Sequence, residues 1–217
     1  MHHLEMPGLP EASFFQLLHA RWGPMARTVL VDHRAGFPPD EQRMCRDLLP
    51  MLDDATLRKV ERCLPEGPVT FCHNDTYHGN VMALDDGRVR LLDFEFSCLN
   101  HRAFDFANLF AETAMRHGLP ESPFFSIAER TATAADLDTL VGFYLDNGEP
   151  TSPAARDAEH ARLVQETEQL IPLSDYMYAM AALPLAIEPI QKIRFIPYAH
   201  QRFGRFLAAY EVRFGDT

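Results

Sequence analysis

Lysine is almost absent from this 217-residue chain, which holds only Lys59 and Lys192 and carries a formal net charge of −11. A surface for nucleic acid or for an anionic membrane needs clustered Lys and Arg, so neither partner is expected. The four cysteines, Cys45, Cys63, Cys72 and Cys98, include no C-x-x-C pair, and the N-terminus has no basic-then-apolar leader. Reduced thiols in a cytoplasmic protein are the expectation from that usage. Cys72 closes the apolar run Val69-Thr70-Phe71-Cys72 and reads as a buried strand residue, not a nucleophile. No apolar stretch is long and charge-free enough to span a bilayer. Tryptophan occurs once, at Trp22, and neither repeats nor low-complexity linkers interrupt the chain.

What is present is an ordinary globular composition on a length that favours one domain over residues 1–217. Residues 1–68 read as a helical lead-in. Glu11 to Trp22 carries Phe14, Phe15, Leu17 and Leu18 at helical spacing, Asp40 to Leu64 is a second helical region broken near Pro50, and Pro65-Glu66-Gly67-Pro68 ends it. Residues 69–96 form a small β element with a loop. From 97 to 217 the pattern is helical again: Ala103 to His117 closing at Gly118, Ala134 to Asn147 between a Thr133 cap and Gly148, then Pro153 to Leu170. Pro172 and Pro184 break or kink the chain beyond Leu170, and Tyr198 to Phe214 is the last helix. The fold class is α+β, mainly α.

The informative stretch is His73-Asn74-Asp75-Thr76-Tyr77-His78-Gly79-Asn80, then a short hairpin, then Asp93-Phe94-Glu95. Val81 to Leu84 and Arg88 to Leu92 read as two strands, and Asp85-Asp86-Gly87 has the chemistry of a tight turn between them. Folding back in this way brings Asn80 and Asp93 side by side. Phosphoryl transfer from ATP takes an acceptor to orient the nucleophile and further oxygen ligands to hold Mg²⁺. Asp75 suits the first task, and Asn80 and Asp93 suit the second. The order H-x-D-x-x-x-x-N, hairpin, D-F-x matches the second half of the protein-kinase signature, with Glu95 where those enzymes carry glycine. Asp105, Asn108 and Glu112 fall on one stripe of the next helix, which should face the same site.

Phe71-Cys72-His73-Asn74-Asp75 with Gly79-Asn80, then Leu92-Asp93-Phe94-Glu95-Phe96-Ser97, then Asn100-His101-Arg102-Ala103-Phe104-Asp105 through Asn108 to Glu112, closely resembles the choline and ethanolamine kinases. The likeness implies a protein-kinase-like C-terminal, helical lobe with a catalytic loop and a β-hairpin. It also implies ATP and Mg²⁺ as cofactors and a small amino alcohol as the second substrate, whose phosphorylation opens phosphatidylcholine or phosphatidylethanolamine synthesis. By the same resemblance Asp75 is catalytic, Asn80 and Asp93 hold the metal and the nucleotide, and Glu112, with Phe96 and Tyr77, contacts the amino alcohol. His73, Asn74, Glu95, Asp105 and Asn108 support these. For Asp105 and Asn108 bracing of the loop is the expected role; for Glu112 a solvated helix face and substrate contact stay open.

Two departures from the family pattern bear on function. The Trp pair that encloses a quaternary ammonium is missing: Ala181 to Ile187 has no aromatic side chain, Phe96 stands where Tyr is frequent, and Tyr77 replaces a polar residue. Tyr176, Tyr178, Phe195 and Tyr198 could rebuild part of a cage, although helical core is the expected use of each. Before Val69 there is also no glycine-bearing strand–loop–strand pattern, and Lys59 there lies in a helical run, so the N-terminal β lobe is expected to be absent. A partner or second copy would then have to supply it. The competing expectation is a truncated, non-catalytic relative that binds an amino alcohol or a partner subunit. An aminoglycoside or sugar-like acceptor is disfavoured by the Phe94-Glu95-Phe96 and Arg102 to Asn108 context.

Overall fold

Ser13 opens the first helix. Its hydroxyl accepts the N–H of Gln16 while the Gln16 side chain accepts the Ser13 N–H, a reciprocal cap that fixes the start of α1 (Phe14–Val31). The computed structural model describes residues 1–2, 13–148, 152–188 and 192–215; the expected helix start at Glu11 lies outside them. After α1 come α2 (Pro39–Leu48), α3 (Asp54–Arg62), β1 (Thr70–Cys72), β2 (Val81–Ala83), β3 (Val89–Leu91), β4 (Cys98–Asn100) and α4 (Ala103–Glu112). The remaining elements are β5 (Met115–His117), β6 (Phe125–Ile127), α5 (Ala134–Asp146), α6 (Pro153–Leu185) and α7 (Phe195–Phe214). The mainly helical expectation holds, and the described residues form three small antiparallel pairs where one small β element was expected.

The described residues gather into two compact units, one from residues 1–2, 65–114, 129–148 and 152–171, the other from 13–64, 115–128, 172–188 and 192–215. In the second unit α2 packs on α7, and α1 on α3 and the short turn Leu49–Leu52 that marks the expected break at Pro50. Phe15, Leu30, Leu48, Met51, Tyr176 and Phe206 are fully buried there, each stabilising by about 1.5–3 kcal/mol. Arg202 is buried too. It donates to Asp175 Oδ1 at 2.8 Å and to the Tyr198 hydroxyl at 3.1 Å, and its guanidinium lies 4.9 Å from the Tyr178 ring centre and 5.2 Å from that of Tyr198.

Three expectations need correction. Of the break or kink expected at Pro172 and Pro184, the break does not occur: α6 runs unbroken from Pro153 to Leu185. A proline inside a helix removes one N–H bond at a local cost of about 3 kcal/mol, which the buried Leu170, Leu173, Met177, Met180 and Leu183 offset. Pro24 is likewise carried inside α1, which passes the expected end at Trp22. The helix from Ala103 stops at Glu112, not at His117: the Thr113 hydroxyl turns back to the Phe110 carbonyl, and Met115–His117 pairs with Phe125–Ile127 instead. Gly118, at φ 71°, supplies the left-handed turn that this pairing needs.

In the first unit the predicted hairpin is present. Val81 pairs with Leu91 and Ala83 with Val89, and Leu84 N–H donates to the Arg88 carbonyl across a turn whose Gly87 sits at φ 82°. A second ladder escaped the sequence pattern. β1 pairs with β4, Cys72 opposite Cys98 and Thr70 opposite Asn100, so the strand that enters the His73–Asn80 loop lies beside the strand that leads into α4. Thr133 caps α5 as expected, bonding reciprocally with Asp136.

Replacing Arg202 with Leu should lower the unfolding free energy by about 3 kcal/mol, because the Asp175 carboxylate stays buried with only the half-exposed Arg205 to balance it. Urea unfolding should show a lower midpoint at unchanged slope. An unmoved midpoint would mean that Asp175 carries no uncompensated charge once Arg202 is gone.

Candidate active site

All eleven residues singled out from the sequence lie in the first unit. The chain leaves β1, turns through His73 to Asn80, runs up and down the hairpin, and returns along β4 into α4. Asn74 makes the sharpest bend, at φ 65°, a left-handed conformation that Asn tolerates better than most residues. That bend lets two successive backbone N–H groups meet one carboxylate: His73 N–H donates to Asp105 Oδ2 at 3.0 Å and Asn74 N–H to Asp105 Oδ1 at 2.7 Å. The Thr76 hydroxyl also donates to the Asp105 carbonyl. The Asn74 side chain reaches the other way, its amide donating to the Phe96 carbonyl at 2.9 Å and its oxygen accepting from Asn100 at 2.7 Å. Asn108 donates to the Asn74 carbonyl at 3.5 Å. Asp105 and Asn108 are therefore placed to brace the loop.

His73 is fully buried and ties the loop to the end of the hairpin. A carbonyl only accepts, so Nε2 must donate to the Leu92 carbonyl at 2.8 Å, which leaves Nδ1 to accept the Asp75 N–H at 3.3 Å. One neutral tautomer satisfies both contacts. Its ring stacks at a tilt on Phe94, 4.8 Å between centres.

Asp75 and Asn80 meet directly. The Asn80 amide donates to the Asp75 carbonyl at 2.9 Å and to its carboxylate at 2.8 Å, both residues being buried. With that NH₂ committed, the amide oxygen is the atom Asn80 can offer a cation. Leu92 N–H donates to the Asn80 carbonyl at 2.9 Å, so Asp93, the next residue, leaves the hairpin beside Asn80. Asp93 is exposed and also left-handed, at φ 59°. Glu95 is exposed and Phe96 half-buried. Glu112, which the sequence allowed on a solvated face, is buried at 3% exposure.

Tyr77 closes over Gly79: a Cβ at Gly79 would lie 2.4 Å from the Tyr77 ring, so only glycine accepts this approach. Partial burial pushes the Tyr77 phenol above its ordinary value, and the charges of Asp75, Asp93 and Glu112 push it further. One phenol thus feels three carboxylates.

Two features escaped sequence reasoning. Asn100 and the Phe96 carbonyl hold the Asn74 side chain, and nothing in the periodicity signals that ladder. His2 donates toward Asp105 Oδ2 at 2.9 Å across 103 residues of sequence. Its ligand atom lies within 4.8 Å of those of Cys72 and Asp105, a spacing a metal could use. The bonding is already committed otherwise: Asp105 to two backbone amides and His2, and Cys72 Sγ to the Asn100 carbonyl at 3.4 Å. Burial, with the charge of Asp105, also keeps the Cys72 thiol protonated far above the usual thiol range, and a thiol is a poor metal ligand. The cluster is a hydrogen-bonded hub.

A sequence model of the choline/ethanolamine kinases matches residues 1–207. The chain belongs to the choline/ethanolamine kinase family. It is 26% identical to choline kinase A2 of Caenorhabditis elegans over 95% of its own length and 55% of that protein. Against a mouse choline/ethanolamine kinase it is 40% identical over 32% of the chain and 18% of that protein. The chain thus spans about half the length of the first of these relatives. Among solved structures, a choline kinase from Cryptosporidium parvum superposes with a TM-score of 0.67 at 15% identity, covering 97% of this chain and 60% of that one. An ethanolamine kinase from Plasmodium vivax gives 0.64 at 18% identity, covering 98% and 57%. The fold is shared with both. No helix among the described residues is long and apolar enough to cross a membrane.

The thiols that flank the loop yield a pH prediction. Burial pushes Cys98 up to about 11, and Cys72 higher still. A raised thiol pKa stabilises the folded state fully below the unfolded value of about 8.5, and that contribution is lost as pH climbs toward 11. In the folded protein at pH 8 a thiol reagent should label neither residue quickly, while urea should release both; rapid labelling of Cys72 in the absence of urea would contradict its burial.

Proposed function

We propose that this chain is the helical, C-terminal lobe of a choline/ethanolamine-type kinase and carries its phosphoryl-transfer residues, with ATP as donor and a small amino alcohol, choline or ethanolamine, as acceptor. The observation that supports this best is the direct Asp75–Asn80 contact on a loop whose backbone is held by Asp105, with Asp93 delivered alongside by the hairpin. In the proposed reaction the alcohol oxygen bonds to the γ-phosphorus, the bond from that phosphorus to the β,γ-bridging oxygen breaks, ADP leaves, and the hydroxyl proton passes to Asp75. The Asn80 amide fixes the direction of the Asp75 carboxylate. Little covalent work falls to the protein in such a transfer, so positioning and charge carry the rate.

Oxygen donors suit Mg²⁺, and the site offers them: the Asn80 amide oxygen and the Asp93 carboxylate would hold the ion, which offsets charge on the β- and γ-phosphates when bound. Glu95 is proposed as a neighbour that braces this region. For the ammonium end, Glu112, Tyr77 and Phe96 are the proposed contacts. A buried carboxylate attracts a cation strongly, and Tyr77 sits on the same loop as Asp75.

The late aromatic residues offer less. Tyr176 packs against Phe15 and Phe206, Phe195 against Tyr198, and Tyr178 and Tyr198 already receive the Arg202 guanidinium. These rings are engaged as core, which favours ethanolamine at least equally with choline. The same engagement of these rings as core favours a second reading, a relative that binds an amino alcohol or a partner subunit without turnover.

Incubating the full chain with Mg-ATP and either ethanolamine or choline should release ADP in an alcohol-dependent manner. Asp75→Asn should slow this by about a hundredfold or more while leaving the fold intact. Alcohol-dependent release no greater than that of Asp75→Asn would defeat the catalytic reading, and calorimetric binding of ethanolamine without Mg-ATP binding would favour the second one. Gly79→Ala should displace the Tyr77 ring and weaken amino-alcohol binding by about tenfold, read by titration calorimetry. Unchanged affinity would remove Tyr77 from the substrate contacts.

A further inference from the structure

His2 is 68 residues from Thr70 of β1 in sequence and yet is built into the loop's support. Its carbonyl accepts the Thr70 hydroxyl. Its ring meets Phe106 of α4 and Tyr144 of α5 edge-on, at 6.3 and 5.5 Å between centres, and those two rings meet each other at 5.1 Å. Within one unit, β1 holds the His2 backbone while α4 and α5 hold its imidazole, whose side chain is 10% exposed.

Each ring nitrogen has a partner. Asp105 accepts two backbone N–H groups, as an ionised carboxylate does, so the contact at 2.9 Å requires a proton on His2 Nε2. The Tyr144 hydroxyl, 3.0 Å from Nδ1, pairs with it as donor or acceptor, so both ring nitrogens are engaged. Asp105 Oδ2 is then shared between His2 Nε2–H and His73 N–H, while Oδ1 takes Asn74 N–H. A carboxylate held by backbone donors alone can rotate about its Cβ–Cγ bond or tilt with the loop. A third donor from a locked ring removes that freedom.

We propose that His2 is a positioning residue for the His73–Asn80 loop, its Nε2–H orienting the Asp105 carboxylate that two consecutive loop amides share. This rests on the proposed role of that loop, but its test reads the loop's amides directly and succeeds or fails whether or not the chain turns over substrate. The effect is local. Losing the third donor loosens Asp105, and the His73 and Asn74 N–H bonds open more often, while α7 is untouched.

Amide exchange of the ¹⁵N-labelled full chain tests this. His2→Ala should speed exchange at His73 and Asn74 by about tenfold, with amides in α7 within about twofold of the parent. His2→Gln, whose terminal amide reaches the Nε2 position, should restore protection at both; His2→Asn, one methylene shorter, should not. Parent-like exchange at His73 and Asn74 in His2→Ala, or acceleration shared equally by α7, would overturn the proposal, as would failure of His2→Gln to differ from His2→Asn. Should His2→Ala not fold, the parent decides alone. Its imidazole ¹⁵N shifts must show a proton on Nε2, and a ring protonated on Nδ1 alone would refute the arrangement.

Discussion

Two consecutive backbone N–H groups, those of His73 and Asn74, end on the two oxygens of one buried carboxylate. An extended strand points successive N–H groups to opposite sides, so this convergence needs a bend, and Asn74 provides it by entering the left-handed region at a cost of about 1 kcal/mol. Asp105 repays that cost with charge-assisted hydrogen bonds. The two features are meaningful only together. Without the carboxylate the bend is strained and its donors buried without partners; without the bend the carboxylate is a buried charge with too few donors. Everything downstream in the loop, including where Asp75 and Asn80 come to rest, inherits its direction from that junction.

The strands explain how Asp105 comes to be there. β1 feeds the loop and β4 feeds α4, and because these two strands pair, the first turn of α4 starts close to the loop's own root. The hairpin β2–β3 lies between them in sequence and brings Asp93 back beside Asn80, its Leu92 carbonyl bound by His73 and its Leu92 N–H bound to Asn80. Two separate hydrogen bonds therefore pin the hairpin to the loop at the one residue that precedes Asp93. The spacing of Asp75, Asn80 and Asp93 is set by backbone geometry and by side chains that never touch a substrate in the proposed reaction.

Much of this was legible in the residues. The H-x-D-x-x-x-x-N order and the Asp85-Asp86-Gly87 turn specify a loop and a two-stranded return, because a positive φ at glycine and alternating strands leave few other ways to connect Asn80 to Asp93. The stripe of Asp105, Asn108 and Glu112 comes from helical period alone, and all three are buried. Period cannot encode the features that escaped. β4 is three residues long and pairs across a gap in sequence, so no local alternation announces it. Met115 to His117 continues an apparently helical pattern but gains a partner strand at Phe125, a tertiary gain that outweighs propensity. His2 sits in a segment too short to carry any pattern, and only the folded arrangement shows what its ring meets.

The charge arrangement gives the proposed substrate reading its physical sense. Partial burial and then the charges of Asp75, Asp93 and Glu112 raise the Tyr77 phenol, and on the proposed reading a positive partner would offset that negative field. In the proposed function a divalent ion beside Asn80 and Asp93 and an ammonium near Glu112 would be two such partners, with the alcohol end of the second toward Asp75. An aromatic cage would answer a quaternary ammonium, which cannot donate hydrogen bonds. A buried carboxylate and a phenol answer a primary ammonium, which can donate three. Tyr178 of α6 and Tyr198 of α7 hold Arg202, a cation belonging to the chain itself. On the proposed reading, the Glu112 carboxylate and the Tyr77 phenol are oxygen acceptors that a small, hydrogen-bonding cation can use.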